Sequence, residues 1–207
     1  MQTKIIVPAF CGVLLFGCGS GSGNRSQSEL EGTWISTCRA KSSSSSSYYE
    51  KNTLVFSGAN LTSSIKSYSD MTCTTELSQM PSLVGDSTFS FGDFVVGTGA
   101  KEFNSQIYSL TITLKTDAYV STYNGTTTGT TAICGGGFVK NTPKQLNAAN
   151  CTNDATLGSD FNERFDIYKV FGDKLYFGVM GALGSKTDGS IGSRRPTDLD
   201  PAYYTKS

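Results

Sequence analysis

The chain has 207 residues, with 17 Lys+Arg balanced by 17 Asp+Glu, which disfavours a nucleic-acid binder driven by net charge. It has no His, which removes Ser-His-Asp and Cys-His catalysis, His-based zinc sites and His pH switches. Only 16% of residues are charged, while 23 Gly, 12 Phe and 10 Tyr sit among abundant Ser and Thr, a composition that favours strands and turns over helices and argues against wholesale disorder.

The first elements are targeting signals. Lys4 supplies a short positive region, and Ile5 to Phe16 form an apolar run too short to span a bilayer but suited to a signal peptide. The run ends in Leu15-Phe16-Gly17-Cys18, which resembles the lipobox of bacterial lipoproteins. That resemblance implies diacylglycerol on the Cys18 thiol and cleavage before it, leaving residues 1–17 as the signal peptide. It also implies a membrane anchor of several acyl chains, each buried methylene contributing about 0.8 kcal/mol. Gly19 follows in place of Asp, so the resemblance to enteric lipoproteins implies the outer membrane of a Gram-negative cell envelope. Residues 18–30, rich in Gly and Ser, read as a flexible tether, and 31–207 as a single β domain.

The resemblance implies that Cys11 leaves with the signal and Cys18 carries lipid, so Cys38, Cys73, Cys134 and Cys151 remain. An even number in an exported chain implies disulfides, with three connectivities open. Pairing of sequence neighbours, Cys38–Cys73 and Cys134–Cys151, is favoured, and no CxxC spacing supports zinc or thioredoxin-like redox chemistry.

Within the domain, Gly32 to Ala40 is expected as the first strand, with Trp34, Ser36 and Cys38 on one face. The serines 42–47 read as a loop. Tyr48–Ser57 and Leu61–Ser69 form a hairpin about Gly58-Ala59-Asn60, with Leu54, Phe56, Leu61 and Ile65 inward. Thr88–Val96 is the next strand, with Phe89 and Phe91 in alternation. Ile107–Thr116 alternates most clearly: Tyr108, Leu110, Ile112 and Leu114 share one face, as in a half-buried antiparallel strand. Asn124-Gly125 is a hairpin signal, which makes Thr126–Cys134 the return strand. One short helix is expected near 143–150, with Thr142 as N-cap and Pro143 at the first position. Phe161–Phe171 and Lys174–Met180 pair about Gly172-Asp173. Pro196 and Pro201 make the C-terminal segment irregular.

The fold class is therefore all-β and antiparallel, with about eight strands closing as an up-and-down barrel or, alternatively, packing as a β-sandwich. Gly32-Thr33-Trp34 resembles the Gly-x-Trp opening motif of lipocalins, in which a basic residue from near the C-terminal end packs over the Trp. Arg194 and Arg195 are the candidates that this resemblance implies. Phe56, Phe89, Phe91, Tyr108, Leu110, Ile112, Leu114, Phe165, Ile167 and Phe177 are expected to line or fill the interior. Glu163 and Asp166, three apart on a strand, face opposite sides and make no glycosidase pair. No calcium-loop pattern surrounds Asp188, Asp198 or Asp200. The expected function is non-enzymatic binding of a small apolar ligand by a membrane-anchored module, with no cofactor, metal or nucleic acid. A surface or envelope-structural module with a solid core is the alternative.

Overall fold

The computed structural model describes residues 29–42, 47–128, 130–151, 161–181 and 185–207. The signal, the Cys18 lipobox, most of the tether and most of the serine run lie outside them. The strands are β1 (Gly32–Ser36), β2 (Arg39–Ser42), β3 (Ser47–Ser57), β4 (Asn60–Tyr68) and β5 (Ser82–Val95). They continue with β6 (Ala100–Thr113), β7 (Pro143–Leu146), β8 (Glu163–Phe171), β9 (Lys174–Gly178) and β10 (Leu199–Lys206), and helix α1 covers Asp117–Tyr123.

All pairings are antiparallel, and the order β1-β10-β9-β8-β6-β5-β4-β3 returns to β1, closing a barrel of eight strands. The sandwich alternative is therefore excluded. β2 prolongs β1 along β3, and β7 fills the length of β6 that β8 leaves unpaired. The break between β1 and β2 has a local cause: the Ser36 hydroxyl accepts from the Asn52 amide at 2.9 Å, replacing a backbone partner.

Closure depends on a strand that the sequence disguises. Pro201 lies inside β10, where the register against β9 shifts between Leu199 and Tyr203. A shift of this kind accommodates a residue with no N–H to donate. The irregular C-terminal segment expected from Pro201 is thus the strand that seals the barrel.

Two further expectations are corrected. Residues 143–146 are strand β7, not the start of a helix: Leu146 sits opposite Leu110 and is fully buried, so pairing with an unfilled edge outweighs weak helix propensity. The helix lies instead at Asp117–Tyr123, capped by Thr116, whose hydroxyl accepts from the Tyr119 amide. Asn124-Gly125 ends that helix and makes no hairpin. Among the described residues, Thr126–Cys134 is turns and a short 3-10 turn beginning at Ile133. Gly125 is required there: its φ is +68°, and a Cβ would lie 2.5 Å from the Ala132 nitrogen. The Asn124 side chain then behaves like a backbone segment, donating to the Phe138 carbonyl at 2.9 Å and accepting from the Phe138 amide at 2.7 Å.

Both disulfides pair as sequence neighbours, Cys38–Cys73 and Cys134–Cys151. Two apolar cores result. The first fills the barrel with Leu30, Trp34, Leu54, Phe56, Leu61, Phe89, Phe103, Tyr168, Leu175 and Tyr204. The second packs Ile112, Leu114, Phe138, Leu146, Phe161 and the Cys134–Cys151 bridge against α1.

Candidate functional site

The barrel has two unlike ends. One carries the β3–β4, β5–β6 and β8–β9 hairpins together with Glu29 and Leu30. Trp34 plugs this end: it is 1% exposed, and its indole N–H donates to the Leu30 carbonyl at 2.6 Å. The basic residue over its ring is Lys206, with Nζ 5.3 Å from the centroid, and not Arg194 or Arg195. The register explains the substitution, because Trp34 and Lys206 are cross-strand partners in the closing pair β1–β10. Arg194 instead ion-pairs with buried Asp188 at 3.4 Å. Arg195 lies over Phe165 at 5.4 Å and donates to the carbonyls of Phe103 and Asp166 on the barrel wall.

The other end opens into a cavity of about 430 Å³. Leu54, Leu61, Phe177 and Tyr204 form its apolar base; the first two and Tyr204 belong to the first core, and Phe177 packs against it. Phe177 makes edge-on contacts with Phe103 at 5.5 Å and Tyr204 at 5.8 Å, so the base is braced by an aromatic cluster. Val179, Met180 and Ala202 complete the apolar wall. Arg39, Asp166 and Asp200 bring charge to it.

Each charged group is held by its strand. Arg39 is opposite Glu50 in the β2–β3 pair. Its guanidinium carbon lies 5.8 Å from the Tyr204 ring and its Nη1 3.6 Å from the Asp200 carboxylate. That ion pair is long, and the buried Nε of Arg39 has no acceptor. Asp200 also accepts from the Ala202 amide at 2.9 Å. Asp166 stands opposite Phe103, on the inward face of β8. One of its oxygens accepts from the amides of Ile167 at 2.7 Å and Gly178 at 3.0 Å. Burial pushes the Asp166 carboxyl up to about 7, against the opposing pull of those two amides and of Arg195.

The expected interior residues divide accordingly. Phe177 lines the cavity, while Phe56, Phe89 and Phe91 fill the core beneath it. Leu110, Ile112 and Leu114 belong to the second core. Tyr108 is 52% exposed, contrary to expectation, because the β5–β6 register slips between Asp86 and Ser87. Tyr108 is the residue left over, and the alternation changes phase there. Phe165 and Ile167 pair opposite Asn104 and Glu102, on the face away from Phe103, so neither lines the interior. Ile167 is nevertheless fully buried. The segment 188–196 folds over the outside here, with Gly189 accepting from the Phe165 amide at 2.9 Å.

The sequence reading does not bring Arg39, Asp166 and Asp200 together: it weighs Asp166 only with Glu163 and Asp200 only as a loop carboxylate, and Arg39 looks like a polar residue on an exposed face. The available signal was the phase of Tyr168 and Val170, which share a face with Asp166. Among the described residues, no group of three or more Cys, Asp or Glu is placed to hold a metal. Asp188, considered for calcium, accepts from the Ser190 amide and hydroxyl and pairs with Arg194.

The class defined by this geometry is a closed eight-stranded antiparallel barrel, plugged by a tryptophan at one end and carrying an open cavity at the other, consistent with a lipocalin-like barrel. No family model and no curated protein matches the chain.

Proposed function

We propose that this chain is a lipid-anchored lipoprotein of the Gram-negative outer membrane whose barrel binds one small amphipathic molecule without chemically altering it. The observation carrying the reading is the cavity at the barrel mouth. Its volume of about 430 Å³ falls within the range of small-molecule sites. Its aliphatic and aromatic base suits an apolar body, as expected for a small apolar ligand. Arg39, Asp166 and Asp200 add a polar end, so the ligand class is amphipathic. The long ion pair of Arg39 with Asp200 leaves hydrogen-bonding capacity on its guanidinium for a ligand. The lipobox and the Gly/Ser tether support the anchored location.

The test is native mass spectrometry of the protein extracted from membranes in mild detergent, paired with titration of an environment-sensitive fluorescent fatty acid. One retained small molecule, or saturable uptake of the probe, is expected. Ala202→Phe, which projects a ring into the cavity, should cut probe affinity at least about tenfold while leaving the far-ultraviolet circular dichroism unchanged. Neither retention nor uptake by the folded protein would assign it to the alternative, a solid-core surface module.

A further inference from the structure

We infer that the hairpin end of the barrel is a membrane-contact face, whose tips insert apolar side chains into the bilayer to which Cys18 is anchored. Soluble domains scatter single exposed hydrophobics over their surface without consequence, as Met71, Val139 and Ile191 are scattered here. At the hairpin end the pattern differs. Phe94 is 70% exposed, Val96 98% and Phe171 72%. They sit on two hairpin tips that the fold brings together. Lys101, the cross-strand partner of Phe94, is also the partner of Tyr168 near the end of β8. Lys169 donates to the Thr98 carbonyl at 2.9 Å, tying the β8–β9 tip to the β5–β6 tip. Large apolar residues grouped at adjoining tips mark an interaction surface.

The occupant follows from where the chain goes. Glu29 and Leu30, the first described residues, lie at this same end: Glu29 receives the Lys101 ammonium at 2.7 Å and the Tyr168 hydroxyl at 2.8 Å. Cys18 is eleven residues earlier in the sequence, which can reach at most about 40 Å. The described chain therefore leads toward the anchor from beside the apolar tips, which puts the lipid surface within reach of them. This part of the inference rests on the proposed anchor; the exposed tips do not.

Charge at this end is balanced. Lys169, Lys174 and Lys206 stand among Asp93, Asp173 and Glu31, and Lys101 is paired with Glu29. Contact is thus driven by apolar burial, with the lysine stems lying along the surface and their ammonium groups reaching phosphates. Binding should differ little between anionic and zwitterionic bilayers. The geometry also points the cavity mouth away from the membrane.

The experiment places an environment-sensitive fluorophore on Val96→Cys or Phe171→Cys in the full, lipidated chain reconstituted in phosphatidylethanolamine–phosphatidylglycerol vesicles. Met71→Cys, in the loop after β4 at the opposite end, is the reference. The expected result is a blue shift and quenching by acyl-chain-brominated lipid at 96 and 171, and neither at 71. Palmitate labelling reports the anchor separately. Labelled protein with no shift at 96 or 171, or with equal shifts at all three positions, would overturn the contact face and leave the anchor standing. Should palmitate labelling fail, vesicle flotation of full-length Cys18→Ser protein decides. Weak partitioning that Phe94→Asp and Val96→Asp each reduce about tenfold supports the face; no partitioning overturns it. Concentration-dependent dimerisation abolished by Val96→Asp would assign the tips to a second copy of the chain instead, and also overturn it.

Discussion

Trp34 joins three parts of the molecule through one side chain. Its ring fills the hairpin end of the barrel, its N–H holds Leu30, and Lys206 covers it from the closing strand. Trp34→Ala should destabilise the domain by about 3–5 kcal/mol, the usual loss for a buried large aromatic. Lys206 is exposed, so Lys206→Ala should cost only about 0.5–1 kcal/mol. Urea denaturation of the two variants would show this ranking, and a Trp34→Ala protein as stable as the wild type would refute it. Asp166 acts in the opposite sense. Its carboxyl holds a proton more tightly in the folded chain, at about 7, than at its ordinary 3.8. Between these values the folded state binds more protons than the unfolded one, so ionising Asp166 weakens the fold as pH rises. The contribution reaches about 1.4 kcal/mol per pH unit inside that window and is flat outside it. The difference in stability between wild type and Asp166→Asn, followed from pH 4 to pH 7, should therefore move in favour of Asp166→Asn as pH rises. A difference independent of pH would place the carboxyl in water.

At the level of elements, legibility followed the regularity of alternation. The β3–β4 hairpin was readable because Leu54, Phe56 and Leu61 keep one phase from end to end. β8 was misread because Phe165 and Ile167 occupy one phase and Tyr168 and Val170 the other. Both sets are apolar since the barrel packs on its inner face and the segment 188–196 covers part of its outer face. A strand covered on both sides has no period-two signal to read. In β6 the signal was present but misleading, because a register slip at Tyr108 changes the phase halfway. The charged wall of the cavity was illegible for a related reason: Arg39, Asp166 and Asp200 come from three separated strands and meet only when the barrel closes. The disulfides were legible from chain order, and their energetics follow from loop length. Replacing both Cys134 and Cys151 by Ala frees a loop of separation 17 and should cost about 3 kcal/mol in the chain-entropy model. The loss should appear as a lowered thermal midpoint and as faster amide exchange in β7 and α1. Unchanged exchange there would mean that the second core holds itself together without the bridge.

Across the whole molecule, the aromatic core divides two surfaces with different chemistry. Toward the hairpin end it supports Trp34 and the exposed tips; toward the mouth it forms the base of the cavity through Phe177 and Tyr204. Substitutions at the tips and at the cavity wall are thus separated by a packed layer, and their effects should add.

The pairing of β1 with β10 also fixes an order of events. Trp34 finds its partner Lys206 only after a further 172 residues (206 − 34) have followed it. Until then β1 and β9 each present an open edge, and the indole has no lid. The barrel cannot close progressively behind a chain that emerges from its N-terminus; β1 and β10 must meet in a single late step across the eight strands that separate them in sequence. Such non-local closure is slow. A chain that lacks β10 displays its defect as an uncovered tryptophan beside two open strand edges, a form that proteases and chaperones can distinguish from the closed barrel.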